Sequence, residues 1–226
     1  MLTPVDRFRQ PDNNVLEVGL IQEHTFQPRD LVAGHLALDL VNTVTARNAE
    51  PVDWLTGYPR LLQWARLTGG FDPGALGALD RLSAGAPDTA AAALHATREL
   101  REAVHDVTTA IIRGDAPPAD GLRRIERTWK GAVSDAELTL VAGSARLQLT
   151  VDRSGLAYLH HELALRSVEL LQALPLARTR ICPGPRCGWL FIDHSRGGQR
   201  RWCDMATCGN AAKSTRHYQR RRRPIR

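Results

Sequence analysis

All four cysteines of the 226-residue chain, Cys182, Cys187, Cys203 and Cys208, lie close to its C-terminal end. They form two C-x4-C pairs separated by fifteen residues. Four thiolates are soft ligands suited to a tetrahedral ion. With sulfur in every position no vacancy remains for a substrate, so Zn2+ held this way is structural rather than catalytic. A rubredoxin-type iron centre uses similar ligands, usually at two-residue spacings. Two disulfides, four free thiols, or His194 or His217 in place of one cysteine are the other readings. The symmetry of the pairs and a reducing compartment favour zinc. About forty-five residues bury too little apolar surface to fold alone, so the metal stands in for a core.

The residues around the cysteines predict how they are positioned. Pro183, Gly184 and Pro185 suit a tight knuckle between the first pair. TRICP and GWLFID read as short strands, SRGGQ as a turn and RRW as the return, which predicts a hairpin between the two pairs. Asp204 is the expected N-cap of a last helix, from about Met205 to Arg222. Cys208 then falls in the first turn, where the positive helix end favours a thiolate. A knuckle plus a helix start describes a treble-clef-like zinc site.

That last helix carries a second kind of chemistry. Lys213, Arg216, Arg220 and Arg223 recur at i, i+3, i+7 and i+10, one helical face. His217 and Arg221 lie beside them, and Arg200 and Arg201 are expected to extend the patch. Arginine bonds phosphate, or the guanine edge, bidentately. Neutralised phosphates release counterions, which supplies affinity. Asn210 and Gln219 have the amides that read adenine. The partner this predicts is nucleic acid, duplex DNA first; a charged tail that binds any polyanion is the plainer reading.

Charge is divided the same way. From Arg178 to Arg226 there are 13 Lys+Arg against 2 acids, net +11, while the other 177 residues carry 17 against 22, net −5. The hydrophobic fraction of 43% is that of an ordinary globular chain. There is no apolar run of membrane-spanning length and no secretory h-region at the start, which predicts a cytoplasmic protein with no membrane partner.

The remainder must carry and position this module. Residues 1–28 read as an arm with a short strand at Val15–Ile21, residues 29–176 as one mostly helical domain, and 177–226 as the zinc module. In the domain, Leu31–Val44 has helical apolar spacing (Leu36, Leu40, Val44) and two polar residues inside it, Asp39 and Asn42. They are expected to brace neighbouring backbone rather than meet a ligand. Trp54 and Trp64 are expected as core anchors. Helices follow from Pro59 to Gly69 and from Pro73 to Leu82. A long helix carries Leu100, Val104, Val107 and Ile111 on one stripe and stops at Gly114. Another follows Pro117-Pro118, with Leu122, Ile125 and Trp129 on one face. Residues Leu138, Leu140, Leu147, Leu149 and Val151 alternate, predicting a β-hairpin with one apolar face. A last leucine-rich helix ends at Pro175. The fold class is therefore α+β: a mostly helical domain with a small antiparallel sheet, plus a small treble-clef-like module.

The stretch CGNAAKSTRHYQRRR, Cys208–Arg222, resembles the CGNR zinc finger family, and LALDLVNTV with YPRLLQWARLTG resembles the ABATE domain that accompanies it. That family is assigned, by prediction, to stress-induced transcriptional regulators of bacteria. The resemblance implies zinc at the four cysteines and nucleic-acid contact from the following helix. Cys208, Gly209 and Asn210 match the motif in place; its arginine is Ala211 here. The function expected is a zinc-dependent DNA-binding transcriptional regulator, whose N-terminal domain senses a small-molecule effector or forms a homodimer. An RNA-binding or protein-adaptor module is the alternative. An enzyme built on Asp39, Asn42 and Trp54 is disfavoured, since no catalytic motif accompanies them.

Overall fold

The computed structural model describes residues 23–221, with side chains as far as Thr215. The strand expected at Val15–Ile21 and the cation Arg223 lie outside the described residues, as do the side chains of Arg216, His217, Arg220 and Arg221.

The order of elements is α1 (Leu36–Val41), β1 (Val44–Thr45), β2 (Val52–Asp53), α2 (Tyr58–Thr68), α3 (Pro73–Gly85), α4 (Pro87–Arg113) and α5 (Ala119–Asp135). Then come β3 (Glu137–Val141), β4 (Ser144–Gln148), α6 (Val151–Ser154), α7 (Tyr158–Ala173), β5 (Thr179–Ile181), β6 (Leu190–Ile192) and α8 (Asn210–Arg221). The strands form three separate two-stranded antiparallel sheets.

Helix α4 is the axis of the body. It packs against α1, α5 and α7, and α5 packs on α7. Of its expected stripe Leu100, Val104 and Val107 are buried and Ile111 is partly so; Leu94, Thr97, Arg101 and Thr108 are buried as well. Glycines stop α2 and α4 where expected: Gly69 and Gly114 are left-handed, at φ 62° and 77°, a conformation glycine adopts without a Cβ penalty. Trp64 is fully in the core, whereas Trp54 is half-buried.

Three expectations are corrected. The helix expected over Leu31–Val44 is only Leu36–Val41. Gly34, at φ 81°, turns the chain before it, and the His35 ring accepts from the Ala37 amide at 3.2 Å. Beyond Val41 the chain leaves the helix because Val44 pairs with Asp53 in a strand. The hairpin β3–β4 forms, but its apolar face is turned to solvent, with Leu138 and Leu140 73% and 80% exposed. Strand β4 ends at Gln148: Leu149 drops into the core, and Val151 begins α6. Finally, the terminal hairpin spans the first cysteine pair rather than the gap between pairs, since β5 pairs with β6 and Cys182 and Cys187 sit in their connection. Arg200–Trp202 forms no strand.

Candidate metal centre and nucleic-acid interface

The β5–β6 hairpin presents the knuckle. The Cys182 amide donates to Trp189 O at 2.8 Å and the Cys187 amide to Gly184 O at 3.1 Å, folding both thiols to one side. A Cβ at Gly184 would lie 2.9 Å from Cys187 Cβ and 3.1 Å from Cys208 Sγ, so glycine is what lets the knuckle close over the sulfurs. The second pair arrives by another route. The Asp204 carboxylate accepts from the Thr207 amide at 2.9 Å and the Thr207 hydroxyl at 3.0 Å. This caps a wide helical turn, Met205–Gly209, that runs directly into α8. The cap sets Cys208 in the first turn, as the sequence led us to expect.

The four Sγ atoms lie within 4.8 Å of one another, with Cys187–Cys203 at 3.5 Å and Cys203–Cys208 at 3.6 Å. Zinc–sulfur bonds of about 2.3 Å in a tetrahedron require sulfurs ~3.8 Å apart, so the donor set fits. Hydrogen bonds from the Cys187 and Cys203 side chains push the Cys182 thiol down, while Cys203 is pushed up by its bonds to Cys182 and Cys187. Four thiols this close, three of them buried, cannot all ionise without a cation among them, and a divalent ion removes that conflict. The Cys203 amide also donates to Cys182 Sγ at 3.4 Å, a backbone bond that favours the thiolate. Cys182, Cys187, Cys203 and Cys208 thus hold a structural Zn2+, which fixes the knuckle to the start of α8.

The module is docked on the body through groups no spacing rule revealed. The buried Asn42 side chain works as a strand edge. Its Nδ2 donates to Leu190 O at 2.9 Å and its Oδ1 accepts from Leu190 N at 3.0 Å. The Trp189 indole donates to Val44 O at 3.0 Å, and the Ile192 amide to Ala33 O at 2.8 Å. The turn after β1 grips the knuckle itself: Arg47 N donates to Cys187 O at 3.0 Å and Asn48 Nδ2 to Gly184 O at 2.9 Å. Leu190 and Ile192 join the core of the body, while Trp189, Phe191 and the cysteines form a smaller cluster with Trp54 and Val32 packed on it.

That gripping turn is held by a charged relay. Arg101, 3% exposed, makes two 2.8 Å bonds to Asp53 and one to Glu102. Glu102 in turn holds Arg47 at 2.8 Å. Burial would raise the Asp53 carboxyl, but the bonds and charge of Arg101 outweigh it and hold it below its ordinary range. Asp53, Arg101 and Glu102 were missed from sequence. The one available signal was Arg101 itself, a cation on the buried stripe of α4.

The expected N-terminal candidates make internal contacts. Asp39 accepts from the Ala33 amide at 3.0 Å, and Trp54 stacks on His24 at 3.6 Å and meets Trp189 edge-on at 5.5 Å. None of the four cavities described has Asp39, Asn42 or Trp54 in its wall.

Among the expected nucleic-acid residues, Arg200 is turned inward. Its guanidinium lies 4.5 Å over Phe191 and donates to Val32 O, Trp202 O and Cys203 O, so it braces the module instead of extending the patch. Arg201 and Lys213 are exposed. Asn210 is exposed, with its Nδ2 donating to Ala206 O at 3.2 Å. Ala211 is exposed on the first turn of α8, and nothing in the structure explains the alanine. Arg178, Arg186 and Arg196 are exposed cations on the same module.

Two family models match the chain, in order. Residues 34–180 match ABATE, described as "Putative stress-induced transcription regulator", and residues 178–221 match the CGNR zinc finger. No curated protein matches the chain.

Proposed function

From the premise that the chain belongs to the ABATE family and ends in a CGNR zinc finger, we propose that it is a zinc-dependent, DNA-binding transcriptional regulator. The observation that carries this reading is the continuity of metal site and helix. Cys208 and the Asp204 cap stand at the root of α8, so the ion that folds the knuckle also fixes the start of a helix whose sequence is rich in cations. Exposed Arg201 and Lys213 belong to its binding face, together with Asn210, Arg216, His217, Arg220, Arg221 and Arg223 further along the chain. The N-terminal domain is the regulatory half, sensing an effector, and both matched families are regulator or zinc-finger types rather than enzymes. One short helix neutralises few phosphates, so two copies on a two-fold site are the expected binding unit.

Fluorescence anisotropy against a random duplex DNA, titrated across salt, tests the reading. Replacing Arg216 and Arg220 with alanine should weaken binding and reduce the salt slope by about 2, one per lost phosphate contact. Stripping zinc should abolish it. Unchanged affinity in either case sinks the proposal. Tighter binding to duplex RNA or to single strands would transfer the module to RNA recognition, and binding stoichiometry reports the dimer.

A further inference from the structure

The β3–β4 hairpin faces in an unusual direction. A two-stranded hairpin is marginal in water and ordinarily holds by pressing its apolar face on a body. Here Leu138 and Leu140 face solvent, and the opposite face overhangs a cavity of about 540 Å3. Thr139 lies across from Arg146 on that face, with Gln148 and Val141 beside them, and Leu147 reaches the rim from the other face, so the roof is mixed, with one cation. The floor comes from α7: Tyr158, 4% exposed, and Glu162 one turn on. Asp72, the N-cap of α3, closes one side.

The cavity carries charges of both signs. Arg146 has no ion-pair partner among the described residues, and neighbouring Glu137 is taken by Arg153 at 2.8 Å. On the floor, burial holds the Glu162 carboxyl above its ordinary range, opposed by Arg166 at 3.7 Å. An ammonium group there would relieve it. Ala75, Leu149 and Val151 add apolar lining to the same cavity. The volume falls within the roughly 300–1,000 Å3 of small-molecule sites.

We propose that this cavity is an effector site for a small zwitterion of the free amino acid class with an apolar side chain. Its ammonium lies toward Glu162 and Asp72, its carboxylate toward Arg146, and its side chain along Leu149 and Val151. The site rests on the reading of the N-terminal domain as a sensor, and it supplies the class of signal. A polar guest also accounts for the hairpin's orientation, because it gives the inward face something to bind.

Calorimetric titration of the full zinc-loaded chain with L-leucine and with L-phenylalanine tests it, without DNA. The amine-only and acid-only analogues of each (3-methylbutylamine and 4-methylpentanoate; 2-phenylethylamine and 3-phenylpropanoate) are the controls. At least one amino acid should bind saturably, and Arg146→Gln or Glu162→Gln should weaken it at least about tenfold, the scale of one charge-assisted hydrogen bond. Arg146 is exposed and Glu162→Gln keeps the shape, so both variants retain the fold, which circular dichroism checks. No saturable binding of either amino acid overturns the site. So does an analogue that binds as tightly as its zwitterion, or binding untouched by both variants. Ligand binding by a chain that fails the DNA titration would leave the site standing and sink the regulator reading; the reverse result sinks the site alone.

Discussion

Asn42 is the residue on which the docking of the zinc module turns. It replaces a neighbouring strand for Leu190, satisfying one buried amide and one buried carbonyl. Asn42→Ala would leave both unpaired in the core, which costs roughly 2–4 kcal/mol. Urea unfolding of the zinc-loaded protein should show that loss, and a chelator should extract zinc faster from the variant. Asp39, one helical turn earlier, makes a pH-dependent contribution. Burial raises its carboxyl to about 6 from an ordinary value of 3.8, against the opposing bond from Ala33. The folded state therefore holds a proton that the unfolded state has already released. Between those two values stability falls as pH rises, by at most about 3 kcal/mol, and above them the loss is complete. Asp39→Asn removes that component while keeping an oxygen for the Ala33 amide. Relative to the native chain, it should gain stability from about pH 4 to pH 7, and parallel pH profiles of the two proteins would refute this.

At the scale of elements, the knuckle and the turn after β1 meet with no room to spare. Gly188, at φ 76°, sits where a Cβ would come within 2.9 Å of both Arg47 Cβ and Asn48 Oδ1. Gly188→Ala must pay about 1 kcal/mol for the left-handed backbone and more for separating the two elements. Thermal unfolding should drop by several degrees, and truncating Asn48 in the same chain should recover part of the loss. Contacts of this kind explain which parts of the molecule were legible beforehand. The metal site was, because four soft ligands and a helix cap declare themselves within twenty-seven residues. Helices α2 and α4 were, because apolar period and glycine stops are local. The docking was not: Asn42 and Leu190 are 148 positions apart. Asn42 was recognised as a brace, but nothing near it named what it braces. Arg200 was read as a surface cation because charge alone does not say that Phe191 and three carbonyls await it. The hairpin's alternation predicted an apolar face without saying on which side the body would lie.

Across the whole molecule, the two regions separated by composition are one packed unit. Leu190 and Ile192 belong to the same core as α1, α2, α4 and α7, so the boundary drawn by charge near residue 177 is not a boundary of packing. The basic region supplies the metal site, and the acidic region supplies the second wall that covers β6. Zinc alone should then be insufficient for the module. A fragment of residues 178–226 retains all four cysteines but exposes Trp189, Leu190 and Ile192, and leaves Leu190 N and O without Asn42. With stoichiometric zinc it should bind the ion, yet give a poorly dispersed amide spectrum and rapid exchange at Leu190–Ile192. The full chain should protect those same amides strongly. A well-dispersed, protected spectrum from the fragment would show that metal coordination suffices, and that the body only carries the module. In the full chain the converse experiment applies: chelation should change the signals of Trp189 and of Trp54, which touches it edge-on, and leave the helical signal of α2, α4 and α7 largely in place. The large core of the body is independent of the ion, whereas the small cluster around the cysteines is not.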